Sequence, residues 1–247
     1  MWTDVVELRD FYATSLGQMA GRLIRQRIRE LWPDVRGMRL AGFGYATPYL
    51  RGFRNEAERV IALMPASQGV LHWPADGPNA AALADEADLP LPNNSIDRVL
   101  LVHAVESSEQ LRLMLREVWR VLPGNGRLIA VVPNRRGIWA RLDYTPFGLG
   151  HPFTPYQLSR LLRESMFMPL RTSSALFVPP STWRMTLAAA PAWERIGRSW
   201  FQTFAGVLLI EAQKEIYAAG AVRAKARRIF APAPPSPVAA GGSAGLS

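Results

Sequence analysis

Four short apolar runs, all free of polar residues, constrain this chain more than any other feature. They are VIALM at 60–64, VLLV at 99–102, LIAVV at 128–132 and VLLI at 207–210. Uninterrupted runs of this kind are typical of strands that are buried on both faces of a parallel sheet. Segments with helical periodicity lie between them, and this alternation predicts a doubly wound α/β sheet.

Spacing and end signals predict three helices. The first has an apolar stripe over 16–31 and stops at Pro33. The second has its stripe over 111–122 and ends at the Pro-Gly-Asn-Gly of 123–126. A capping box at 154–157 opens the third helix.

Length and charge predict the domain organisation. The chain has 247 residues and a formal net charge of +9, from 29 basic and 20 acidic side chains. We predict a helical cover over 1–37, one α/β domain over 38–219, and a basic stub with a Pro/Ala/Gly-rich tail over 220–247. Bases cluster at 223–228, but no base-reading motif accompanies them, so we do not expect a nucleic-acid partner.

Composition also excludes several kinds of site. The absence of cysteine excludes disulfides, thiolate metal sites and a cysteine nucleophile, and three histidines argue against a zinc site. No apolar run reaches the roughly 18 residues needed to span a bilayer. Acids stand near the N-terminus at Asp4, Glu7 and Asp10, where a secretory signal would carry bases. We therefore expect a cytoplasmic protein without a metal or a transmembrane segment.

The first candidate ligand site is a glycine turn. A strand predicted from residue 38 runs into Gly42-Phe43-Gly44, followed by Tyr45 and Ala46. Glycines after a strand let a ligand approach bare backbone, and N–H groups at the start of a following helix favour an anionic group. An ordinary tight turn is the alternative explanation of the same residues.

Polar residues follow two further predicted strands. Asp85 and Glu86 come after a short apolar stretch, and His103 comes directly after the run at 99–102. The carboxyl ends of parallel strands meet at one edge of the sheet, where such folds bind ligands. His151 lies in the loop before the capped helix. A solvated loop for the acids and structural hydrogen bonds for the histidines remain the alternatives.

Several stretches together resemble class I S-adenosylmethionine-dependent methyltransferases, in particular the methyltransferase type 11 group. ADEADLPLPNNSID at 84–97 is similar to that group's acid and Leu-Pro stretch, and LVHAVE at 101–106 to its histidine segment. LREVWRVLPGNGRL at 115–128 closely matches its helix and strand signature. The segment from His151 to Phe167 resembles its downstream stretch.

This resemblance implies a seven-stranded, mostly parallel Rossmann-like sheet whose last strand is antiparallel. It implies S-adenosyl-L-methionine as cofactor and transfer of a methyl group to an acceptor that the sequence does not identify. It places His103 and His151 as candidate catalytic residues. The candidate cofactor-binding residues are Gly42, Phe43, Gly44, Ala46, Met64, Asp85, Glu86 and His103. A helical insertion over 181–204 would lie near the substrate, with Trp183, Trp193, Trp200 and Phe201 as contacts or as packing residues.

The chain departs from the family's pattern at three places. Leu40 stands where an acid is usual, and Ala46 replaces the third motif glycine. The end of the run at 60–64 supplies no acid for the ribose hydroxyls, so Gln68 or Asp76 would have to take that role. The alternative hypothesis is therefore a weak or inactive methyltransferase-like subunit that binds or regulates a protein partner.

Overall fold

The computed structural model contains a single seven-stranded sheet in the part of the chain that it describes. It describes residues 4–181, 183, 185–186, 189–200 and 202–216; the predicted stub and tail at 220–247 lie outside this range. The strands are β1 (Arg39–Gly44), β2 (Arg59–Pro65), β3 (Ala81–Ala84), β4 (Arg98–Val102), β5 (Arg127–Pro133), β6 (Phe167–Ala175) and β7 (Val207–Lys214).

The order of the strands confirms the predicted fold class. Across the sheet the order is β3-β2-β1-β4-β5-β7-β6. The first five strands in the chain run parallel, and β7 pairs antiparallel with both β5 and β6. Successive strands are added towards one edge of the sheet from β1 to β3 and towards the other edge from β4 onward. The gap between β1 and β4 is therefore the point where doubly wound folds bind ligands.

Helices cover both faces of the sheet. They are α1 (Val5–Ala13), α2 (Ser15–Leu31), α3 (Thr47–Leu50), α4 (Leu111–Val121), α5 (Pro155–Glu164) and α6 (Ala190–Trp200). The predicted stripe of α2 packs against one face of the sheet, and α4 and α5 pack against the other. The predicted capping box of α5 is present, with the Thr154 hydroxyl accepting from the Gln157 N–H. None of the described helices combines the length and apolarity needed to cross a bilayer.

Two elements carry no clear signal in the sequence. Strand β6 mixes apolar and polar residues without a regular alternation, and it is a sheet edge whose residues are mostly exposed or half-buried. Helix α1 is separated from α2 by Thr14, whose hydroxyl accepts from the Gly17 N–H and caps α2. A single helical cover was predicted here, and the break at Thr14 lets α1 turn across the carboxyl edge of the sheet.

Candidate active site

The glycine turn after β1 is built for close packing. Gly44 has φ +82°, and a Cβ there would lie 2.2 Å from the Val102 carbonyl oxygen of β4. A Cβ on Gly42 would lie 2.5 Å from the Ala46 Cβ, so this glycine and this alanine bring α3 down onto β1. Phe43 points to the opposite face and is buried in the core there. The packing of this turn therefore requires both glycines, independently of any contact with a ligand.

Helix α1 lies across the carboxyl ends of β1 and β2. Val5 and Leu8 form a buried apolar cluster with Tyr45 and Met64. Leu8 has no exposed surface, and Met64 is only 1% exposed. The N–H of Val5 donates to the Gln68 carbonyl oxygen at 2.9 Å. The groove in which the sequence places a cofactor is thus filled by side chains of the protein's own first helix.

A buried hydrogen-bonded chain stands at the end of β4. His103 Nδ1 lies 3.2 Å from a Glu106 carboxylate oxygen, and Nε2 lies 2.8 Å from the Tyr12 hydroxyl. The Tyr12 hydroxyl in turn lies 2.7 Å from that of Tyr49. A carboxylate only accepts, so Nδ1 carries the proton and, in the neutral ring, Nε2 accepts from Tyr12. This arrangement holds His103 as a proton acceptor aimed at a phenol.

The surroundings of this chain are apolar and aromatic. Tyr12 stacks on Tyr45 with ring centroids 5.5 Å apart, and the Phe147 ring lies 5.0 Å from the His103 ring. Burial raises the pKa of the Tyr12 phenol well above its usual value and also raises the pKa of Tyr49. Both phenols therefore stay protonated at neutral pH. His103 itself has φ +51°, a left-handed conformation that histidine tolerates better than most residues.

Three buried polar atoms around α1 make no hydrogen bond within the described part of the chain. They are both side-chain polar atoms of Gln68 and the second carboxylate oxygen of Glu106. Gln68 is 2% exposed and stands just after β2, beneath the start of α1. An unpaired buried polar group costs about 1–3 kcal/mol. The docked α1 therefore leaves polar groups unsatisfied at the place where the sequence predicts a polar ligand.

The predicted acids have different surroundings. Asp85 is exposed at the end of β3, and its carboxylate accepts from the Ala87 N–H at 2.8 Å. Glu86 is buried and accepts from the Ser108 hydroxyl at 2.6 Å and the Gln110 N–H at 2.7 Å. Glu86 therefore has its hydrogen-bonding capacity engaged in holding the loop that follows β4.

His151 is exposed, and its backbone N–H donates to the Glu106 carbonyl oxygen at 2.8 Å. The loop that carries it therefore packs against the His103–Glu106 segment. Among the predicted aromatic contacts, Trp183 is mostly exposed and Trp193 is about half exposed. The side chain of Trp200 and the whole of Phe201 lie outside the described residues.

Sequence analysis had missed the contribution of three residues. Tyr12 was not recognised because it lies on a short helix far from the motifs in the chain, and Tyr49 because it reads as a core residue. Glu106 lies in the segment at 101–106 that resembles the family, and its spacing of three residues from His103 is a usable signal for a paired carboxylate.

The polar groups at this edge suit S-adenosylmethionine, but side chains of α1 occupy the space that it would need. Asp85 and Gln68 stand on one side of the glycine turn and His103 on the other, and Gln68 has free hydrogen-bonding capacity. Leu8 and Tyr12 occupy the space between them as long as α1 is docked. A bound cofactor would be held by the Gly42–Gly44 backbone, Gln68 and Asp85 after α1 has moved.

Comparison with known proteins gives a match at the level of the domain. Residues 40–130 match a family model described as a methyltransferase domain. Among curated protein sequences, none matches the chain.

Solved structures share the fold at low sequence identity. An S-adenosylmethionine-dependent methyltransferase from Thermotoga maritima is 17% identical, with a TM-score of 0.59 over 85% of this chain and 96% of that chain. The (4+2)-cyclase SpnF is 20% identical, with a TM-score of 0.55 over 81% and 84%. A Burkholderia thailandensis N-methyltransferase with bound S-adenosylhomocysteine is 14% identical, with a TM-score of 0.51 over 79% and 78%. Residues 40–130 therefore match a methyltransferase domain, and the described chain has the fold of S-adenosylmethionine-dependent methyltransferases.

Proposed function

We propose that this protein transfers a methyl group from S-adenosylmethionine to a hydroxyl oxygen of an aromatic acceptor. One observation carries the choice of acceptor: His103 Nε2 faces a phenolic hydroxyl, that of Tyr12, at 2.8 Å inside an aromatic enclosure. In this proposal the Tyr12 phenol occupies the position of the acceptor's own hydroxyl. The cofactor, when bound, supplies an electrophilic methyl group on its sulfonium.

The protein's own residues would position the acceptor and take its proton. His103 accepts the hydroxyl proton at Nε2, while its Nδ1 proton stays bonded to the Glu106 carboxylate. That carboxylate holds the ring orientation and stabilises the charged imidazolium that results. Phe147 packs beside the His103 ring and excludes water from it. His151 stands at the rim of this site, on the loop that packs against Glu106.

The test combines binding with transfer. Wild-type protein should give a saturable calorimetric titration with S-adenosylhomocysteine. It should also transfer tritium from methyl-labelled cofactor to a phenolic compound in the small-molecule fraction of a cell extract. The His103→Asn variant should keep the binding and lose the transfer. A flat titration at millimolar ligand, for the wild type and for variants that loosen α1, would overturn the proposal.

The second candidate function is a methyltransferase-like subunit that binds a protein partner without turning over the cofactor. The observation in its favour is the apolar filling of the groove by Val5, Leu8 and Met64, together with the missing acid after β2. It predicts a stable complex with that partner and no thermal shift with S-adenosylhomocysteine in any variant.

A further inference from the structure

The docking of α1 rests on two kinds of contact. Apolar burial of Val5 and Leu8 holds its first half, and the Tyr12 hydroxyl bonded to His103 holds its last turn. Both sets of side chains stand where a cofactor and an acceptor would have to lie. A ligand in the groove and a docked α1 therefore exclude one another.

The polar atoms beneath α1 show what kind of ligand would replace it. The amide of Gln68 offers one acceptor and two donor hydrogens, none of which is used in the described residues. A vicinal diol has matching donors and acceptors. Asp76, the other residue considered for this role, is mostly exposed and paired with Arg54 at 3.0 Å. Gln68 is thus the residue of the two that is buried, unpaired and next to α1.

We propose that α1 is a displaceable lid over the cofactor groove, and that Gln68 binds the ribose hydroxyls of the cofactor once the lid opens. The inference rests on the proposed function. In this proposal the Gln68 amide takes the place of the missing acid after β2 and binds the ribose diol without a charge. It also makes cofactor affinity depend on how firmly α1 is docked, because the closed form reduces the fraction of binding-competent protein.

The lid is tested by weakening it at a residue that contacts no ligand. Leu8→Ala removes buried apolar surface from α1, and we expect it to tighten the apparent dissociation constant of S-adenosylhomocysteine by about tenfold or more. Leu158→Ala in α5 is the matched control, since Leu158 is equally buried on the opposite face of the sheet. Tyr12→Phe, which removes only the hydroxyl, is the milder second variant and should tighten binding less.

Hydrogen exchange gives a second readout of the lid. Saturating S-adenosylhomocysteine should speed amide exchange within Val5–Ala13 and slow it in the glycine turn after β1. Slower exchange in α1 on binding, or wild-type affinity in both Leu8→Ala and Tyr12→Phe, would overturn the lid.

The role of Gln68 is tested with Gln68→Met, which keeps the length and removes both polar atoms. We expect the ligand-free variant to melt at a higher temperature, because an unsatisfied buried amide is gone, and to bind S-adenosylhomocysteine about tenfold more weakly. Gln26→Met on the exposed face of α2 is the control and should change neither property.

Because a more firmly docked α1 would by itself raise the melting temperature and weaken binding, the same change is made in the Leu8→Ala background, where only loss of the ribose contact would still weaken binding. Unchanged affinity in Gln68→Met would refute the assignment of Gln68 while wild-type binding left the methyltransferase function standing. Absence of binding in every variant would instead refute the function itself.

Discussion

The two ends of the candidate site differ in how their buried polar groups are hydrogen-bonded. At the end of β4, hydrogen bonds join His103 to Glu106 and to Tyr12 and hold all three in place, although the second Glu106 carboxylate oxygen has no partner among the described residues. At the end of β2, Met64 and Gln68 lie under an apolar helix, and the amide has no partner within the described residues. The proton-accepting end is therefore preorganised, whereas the cofactor end is closed by a segment that leaves polar groups unsatisfied. Such a difference is expected of a lid that makes hydrogen bonds at one end of the site and only apolar contacts at the other.

The largest expected effect tests the preorganised end. His103→Asn should reduce methyl transfer by about 10²–10⁴-fold, the usual contribution of a general base. Asparagine tolerates the left-handed backbone of this position, so the variant should fold. Its affinity for S-adenosylhomocysteine should not fall, because losing the Tyr12–His103 hydrogen bond can only loosen α1. Transfer of the tritium label, normalised to bound ligand, is the measurement, and an unchanged rate would show that the paired histidine is structural.

Gly44→Ala tests whether the turn between the two ends depends on close packing. The new Cβ would meet the Val102 carbonyl oxygen, and the backbone is left-handed, so we expect unfolding to become easier by roughly 2–4 kcal/mol. Gly37 has a similar positive φ, but no atom lies within 4 Å of the position of an added Cβ. Gly37→Ala should therefore lower the free energy of unfolding by only about 1 kcal/mol. Urea denaturation of both variants separates the clash from the backbone strain. An equal decrease in the free energy of unfolding of the two variants would mean that the packing of Gly44 against β4 is unimportant.

Alkaline pH tests the phenols that join the two ends. The pKa values of Tyr12 and Tyr49 are raised in the folded state, so above about pH 10 the folded state holds protons that the unfolded state has lost. The free energy of unfolding should therefore be unaffected below that pH and fall above it, by about 1.4 kcal/mol per pH unit for each phenol. Tyr12→Phe should make this fall shallower, whereas Tyr156→Phe on the exposed surface should not. A fall of equal steepness in all three proteins would contradict the burial argument.

The smallest expected effect concerns the outer part of the cofactor end. Asp85→Asn should weaken S-adenosylhomocysteine binding by about two- to tenfold, because an exposed carboxylate that accepts one hydrogen bond contributes little net energy. Asp88→Asn, an exposed acid in the same loop, is the control. Equal affinity in the two variants, measured by calorimetry, would remove Asp85 from the site.

The sequence by itself determined the sheet and the line along which a site could lie. The apolar runs became β2, β4, β5 and β7 because uninterrupted apolar residues have no stable place except between two covered faces. The glycine turn, Asp85 and His103 then had to share one edge, since parallel strands end together. The helix and strand signature at 115–128 became α4 and β5 for the same reason: periodicity and turn residues act locally.

Only the tertiary structure decided what fills that edge. Val5, Leu8 and Tyr12 lie about 30 to 100 residues from their partners along the chain, and no periodicity or spacing links Tyr12 to His103. The unpaired amide of Gln68 is likewise a property of burial by another element, which local sequence does not encode. Secondary structure follows from interactions between near neighbours, whereas the contents of a groove depend on which distant side chains pack into it.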